Sequence, residues 1–218
     1  MNCHRLLISI FAFLLFACGQ TNRSDQKDGA QLAEENETEV RNRFLFIHSE
    51  TVSDFDSWLI NFKNDDYKLY QDVFDSLNIY QSYDDENLVF ISGEFTIEED
   101  GRIFLANRQK EAQFYRLIEI GEDIPQASNR FFVYQDVGDY ITWQEKFEED
   151  ESKRRANGMH CLGIARNLDS PTKLVNYFSV TDLETALGFI NPELTKTIES
   201  ASVVGQPVLQ ILRSVEVD

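Results

Sequence analysis

One seven-residue pattern occurs twice in this chain, as Val52-Ser53-Asp54-Phe55-Asp56-Ser57-Trp58 and as Val137-Gly138-Asp139-Tyr140-Ile141-Thr142-Trp143. Each copy follows a short apolar run and opens a segment whose apolar residues recur at helical spacing. Similar strand-like and helix-like stretches follow both copies. A chain patterned in this way folds as two copies of one small module, each of about 85–90 residues, a size at which a domain can bury a core of its own.

In the first module Arg43–His48 is apolar on both faces, which suits a strand covered on both sides. Ser53 is placed to cap a helix, with Asp56 three residues on in a capping-box-like position. Val52, Phe55, Trp58, Leu59 and Phe62 share one helical face, and Tyr67, Tyr70, Val73 and Phe74 extend it. Strands are expected over 78–83 and 88–95 around an acidic turn, then a short helix over 97–108 weakened by Gly101, then a strand over 112–120. The order is β-α-β-β-α-β. Residues 121–130 hold Gly, Pro, Ser and Asn without periodicity and mark the boundary, so the modules are 43–125 and 126–218.

The second module repeats the order. A strand over 131–135 precedes Asp139, a good N-cap, and an amphipathic helix to about Asn157, with Gly158 suited to the left-handed position after it. Strands over 159–165 and 173–180 flank a turn at Asn167–Pro171. A helix begins after Asp182 and is expected to kink or split at Pro192. A turn at Gly205-Gln206-Pro207 leads to a last strand over 208–217. A four-stranded antiparallel sheet with both helices on one side leaves its other face bare, so strands apolar on both faces need a cover. Two copies in one chain can supply it, sheet to sheet. The fold class is therefore α+β, two tandem ferredoxin-like modules.

The second module also resembles the dimeric α+β barrel superfamily, which includes the antibiotic-biosynthesis monooxygenases. The resemblance rests on Val137, Asp139, Tyr140 and Trp143; on Gly158 before the second strand; on Asp169 and Pro171 in the hairpin; on Asn191-Pro192-Glu193-Leu194; and on Val203-Val204-Gly205 with Pro207 before the last strand. It spans about residues 131–218. The first module keeps Val52, Asp54, Phe55 and Trp58 but lacks the later elements, and is degenerate. The resemblance implies a pseudo-dimer, one chain making the barrel that relatives make from two. It also implies chemistry without metal, flavin or other cofactor. The Asn-Trp-His set of the monooxygenases finds no residue-by-residue match here, which argues against catalysis.

The N-terminus says where the protein sits. His4 and Arg5 give a basic start, and Leu6–Ala17 is apolar but too short to cross a bilayer, which takes about 20 residues. Leu15-Phe16-Ala17-Cys18 resembles the bacterial lipobox, with Phe16 bulkier than the pattern prefers. This implies a signal peptide over 1–17, cleavage before Cys18 and lipidation of Cys18, whose acyl chains anchor the protein to a membrane. Asp does not follow Cys18, so an outer membrane is the expected residence where the host has one. Residues 19–42 are polar and read as a tether reaching about 25–30 Å.

Charge narrows the partners. With 20 Lys+Arg against 38 Asp+Glu the net charge is −18, which repels phosphate backbones and makes nucleic acid an unsuitable partner. Of the three cysteines, Cys161 alone remains once Cys3 is cleaved off and Cys18 acylated, so no internal disulfide forms.

Trp58 and Trp143 occupy equivalent helix positions and read as core. His160 and Cys161 are neighbours on a strand, so their side chains point to opposite faces and cannot form a thiolate–imidazolium pair alone. Asn176 and Tyr177 lie mid-strand, so one of them faces the interior between the sheets. Arg166, at the end of a strand, is placed to meet an anion at a cavity mouth. These four, Asn176, Tyr177, His160 and Arg166, are the candidate cavity residues. No metal-ligand spacing occurs, and P-loop, GxGxxG, GxSxG and HExxH motifs are absent. The sequence thus points to a monomeric, lipid-anchored envelope protein that binds a small apolar or amphipathic molecule, or an envelope partner, through a pseudo-dimeric barrel. The alternative is a cofactor-independent monooxygenase- or isomerase-like enzyme acting on a small carbonyl or phenolic substrate.

Overall fold

A computed structural model of the chain describes residues 43–121, 125–198 and 203–217. The signal segment, Cys18 and the tether lie outside the described residues. Eight strands alternate with helices as expected: β1 (Phe44–Thr51), α1 (Phe55–Asn61), a π-helical turn (Phe62–Asp66), α2 (Tyr67–Gln71), β2 (Ser76–Ser82), β3 (Leu88–Phe95), α3 (Glu98–Asn107) and β4 (Ala112–Ile120). The second module follows with β5 (Asn129–Asp136), α4 (Tyr140–Glu149), α5 (Glu151–Ala156), β6 (Met159–Asn167), β7 (Lys173–Val180), α6 (Leu183–Ile198) and β8 (Val208–Val215).

The strands form one closed antiparallel barrel in the order β1-β3-β2-β8-β5-β7-β6-β4. Each module contributes a ferredoxin-like sheet, β4-β1-β3-β2 or β8-β5-β7-β6. The sheets therefore do more than face each other: their edges hydrogen-bond at two seams. One seam runs from Ile79 opposite Val215 to Ser82 opposite Leu212. The other runs from Tyr115 opposite Asn167 to Ile120 opposite Gly163, with a bulge between Leu117 and Glu119. Closure leaves no open edge among the described strands for another chain to pair with.

The internal repeat extends to packing. Trp58 and Trp143 are 85 positions apart. Each donates its indole N–H to a residue eight earlier, at the end of the first strand of its module: Trp58 to Glu50 at 3.0 Å, Trp143 to Gln135 at 2.9 Å. Asp54 and Asp139 cap the two helices by accepting backbone N–H groups. Capping by Asp54 corrects the expectation of a cap at Ser53: Asp54 has the extended φ of −155° and its carboxylate reaches the Ser57 amide at 2.8 Å. Gly158 takes a positive φ of 73°, as expected of the residue after a helix. Pro192 lies inside a single helix rather than splitting it.

Strand alternation divides the core into three layers. Leu45, Ile47, Tyr80, Phe90, Tyr115, Leu117, Phe132, Ala165, Val175 and Leu212 fill the barrel. Outside it, Phe46, Phe62, Tyr70, Phe74, Ile91 and Leu105 bind the helices of the first module to its sheet. Phe131, Val133, Met159, Phe178 and Ile190 do so in the second, with a neighbouring cluster around Trp143 and Ile164. Burial of each such large side chain contributes about 1.5–3 kcal/mol, which is why both faces of these strands read as apolar.

Candidate ligand recess at the barrel mouth

The barrel is packed through its middle and open at one end. There a recess of about 470 Å³ is lined from both modules. Phe90 and Leu88 of β3 and Val208 of β8 give apolar walls, while Gln113 and Tyr115 of β4, Tyr134 of β5 and Gln210 of β8 supply neutral polar groups. Asp136 and Lys173, opposed across the β5–β7 pair, put one charge of each sign at the rim. The Tyr115 hydroxyl donates to the Gln113 side-chain oxygen. Burial pushes both phenols well above their ordinary range, Tyr134 further through its neighbour Tyr115, so both are neutral hydrogen-bonding groups. Among the described residues lining the recess there is no histidine or cysteine.

The four residues singled out from sequence are not brought together. Tyr177 packs inside the barrel, its ring edge-on to Phe132 at 6.2 Å, with burial raising its phenol well above the usual range. Asn176 points the other way, into the helix layer, and donates to Gln135 at 3.3 Å. Gln135 thereby accepts from both Asn176 and Trp143, which satisfies its buried oxygen, while the Asn176 oxygen has no partner. Arg166 lies over the ring of Tyr140, 4.4 Å from its centre, on the outer side of the sheet and away from the recess. His160 is half-buried at the start of β6, with its Nδ1 unpartnered. Cys161 packs against the helix layer, and burial pushes its thiol up to about 12, which leaves it protonated and unreactive.

Sequence reasoning missed Tyr115, Tyr134, Gln113 and Gln210. Their signal was strand alternation in β4, β5 and β8. Leu117, Tyr115 and Gln113 share one face, as do Phe132 and Tyr134, so polar groups at the ends of inward-facing rows mark the mouth.

No family profile and no curated protein matches the chain. Solved structures do. A monooxygenase-like protein from Listeria innocua superposes with a TM-score of 0.53 at 13% identity, covering 81% of this chain and 95% of that one. An anthrone oxidase-like protein gives 0.53 at 9% identity, over 80% of this chain and 91% of that one. A ferredoxin fold protein from Listeria monocytogenes, related to antibiotic biosynthesis monooxygenases, gives 0.51 at 12% identity, over 80% and 95%. At such identities the likeness is one of fold, and it agrees with the strand order. The chain has the dimeric α+β barrel fold, with both halves of the barrel supplied by one polypeptide.

Proposed function

We propose that this protein is a membrane-tethered binding protein of the cell envelope, and that the barrel mouth receives a small, uncharged amphipathic molecule. One observation carries the reading: the recess joins apolar walls to neutral phenol and amide groups, with no histidine or cysteine among its described lining. Ligand pockets of about 300–1,000 Å³ with few convergent polar groups are the usual form of such sites. The lipobox-like segment at Cys18 supports the tether. Among the described residues no helix is long and apolar enough to cross a membrane.

The test is native mass spectrometry of the chain from Glu39 onward, purified gently from its host. The expected result is a monomer carrying a neutral small molecule in stoichiometric amount, lost on Tyr134→Ala. A bare monomer that also fails to bind an uncharged fluorescent amphipath such as N-phenyl-1-naphthylamine at the recess would refute it. The fold shared with monooxygenase-like proteins favours a second reading, a cofactor-independent oxygenase acting on a phenolic substrate. Oxygen uptake with a phenol or anthrone, abolished by Tyr115→Phe or Tyr134→Phe, would support that reading over simple binding.

A further inference from the structure

A second cleft, of about 290 Å³, opens in the helix layer of the first module and shares no lining residue with the barrel recess. Three independent features meet there. The first is the π-helical turn Phe62–Asp66, which inserts one residue into the helix. Phe62 and Tyr70 are eight positions apart. In the second module the corresponding pair, Phe147 and Arg154, is seven apart. Arg154 seals that layer, its guanidinium carbon 3.6 Å from the centre of the Phe147 ring. Tyr70 stands 5.4 Å from Phe62 and floors an open cleft instead. The second feature is Tyr70 itself, 1% exposed, with a hydroxyl that has no hydrogen-bond partner. Such a group calls for one. The third is Gln109, a non-glycine residue at φ 56°, which sets Arg108 and Lys110 on the rim.

The charges decide what the cleft accepts. Glu50 takes the Trp58 indole N–H on one oxygen and Lys110 on the other, and Asp66 is paired with Arg108. Both cations are therefore engaged. Asp65 is exposed and has no ion pair among the described residues. The lining holds three carboxylates against two cations, within a chain of net charge −18. Trp58, Phe62 and Tyr70 add aromatic surface, which attracts cations through its quadrupole.

We propose that this cleft binds a small organic ammonium ion, held electrostatically by Asp65, hydrogen-bonded to the Tyr70 hydroxyl, with its apolar part against Trp58 and Phe62. The second module has lost the site: Gln135 replaces Glu50, and Arg154 fills the place where the ligand would lie.

Calorimetric titration of the intact chain in mild detergent with benzylamine, benzyl alcohol and benzoate tests this. Benzylammonium is expected to bind one per chain and about tenfold more tightly than benzyl alcohol, with benzoate weakest. Asp65→Asn and Tyr70→Phe are each expected to weaken it about fivefold. Tyr134→Ala, in the separate barrel recess, is expected to leave it unchanged, so failure of the recess reading and failure of this one are distinguishable. If Tyr70→Phe fails to fold, the exposed Asp65→Asn carries the test. Equal binding of amine and alcohol by the Tyr134→Ala chain, preference for benzoate, no saturable binding, or full affinity in Asp65→Asn would overturn the proposal.

Discussion

Replacement of Gly163 by alanine probes the seam between the modules. A Cβ at this position would lie 2.5 Å from the Tyr177 hydroxyl oxygen, 2.7 Å from its ring carbon Cζ and 2.7 Å from the backbone oxygen of Glu119. The first two belong to a side chain packed inside the barrel. The third belongs to β4 just past its bulge, and moving it means shifting the β4–β6 seam. Overpacking of this kind costs about 1–3 kcal/mol, and a contact that a backbone atom cannot relieve belongs in the upper half of that range. In a chain of this size each kcal/mol corresponds to about 2–4 °C in Tm. Gly163→Ala is therefore expected to lower Tm by about 4–12 °C, read by circular dichroism on the chain from Glu39 and checked by urea midpoints. Tyr177→Leu shortens the opposing side chain and should be destabilising alone by about 2–3 kcal/mol. Combined with Gly163→Ala it relieves two of the three clashes, so the double variant should be about 1–2 kcal/mol more stable than the sum of the singles. A Gly163→Ala protein within about 0.5 kcal/mol of the parent, or strict additivity with Tyr177→Leu, would show that the seam is not packed as described.

Two further outcomes follow from partly buried titratable groups. Glu50 is held at about 2, chiefly by the His48 imidazole 3.6 Å away and also by Lys110, against the opposing effect of burial. Because its folded value lies below the ordinary 4.5, its stabilisation is complete above 4.5 and fades as pH falls toward 2. Glu50→Gln, which installs the residue found in the second module, should flatten that acid limb by about 1 kcal/mol after solvent screening, measured as urea midpoint against pH from 6 to about 2.5; an unchanged limb would argue against this arrangement. Cys161, with its thiol pushed up to about 12 by burial, should resist a thiol reagent at pH 8 in the folded chain and react promptly in denaturant; fast labelling of the folded protein would place it at the surface.

Much of the architecture was legible because two periodicities carry it. The doubled Trp motif fixed the module length, and strands apolar on both faces demanded a barrel filled from within and covered from without. The helix bounds followed from caps at Asp139 and Asp182 and from Gly158, each a local backbone requirement. What escaped was set by strand phase, by local side-chain packing and by the meeting of the two modules. Whether Asn176 or Tyr177 faces the interior depends on a strand phase that flips with one residue, and only Tyr177 does. Arg166 looked like an anion ligand because it closes its strand, but the ring of Tyr140 lies within reach and holds it outside. The π-helical turn left no trace, since Val52 to Phe74 reads as unbroken helical spacing whether or not one residue is inserted. The mouth residues Tyr115 and Tyr134 come from different modules and meet only once both seams close.

Closure within one chain is the claim on which the rest stands, and Gln81 and Arg213 report on it directly. They are register partners across the β2–β8 seam. Directly opposed residues in antiparallel strands have Cα atoms about 4.5–5.5 Å apart, within the range a disulfide spans. The variant Gln81→Cys with Arg213→Cys, in the chain from Glu39, should oxidise to a single-chain product two hydrogens lighter than the reduced form, with peptide mapping joining the 81 and 213 segments of the same molecule. A product of twice the chain mass linked between molecules, or both engineered thiols still free beside Cys161 under conditions that oxidise a control pair within one sheet, would mean that the modules do not close on each other.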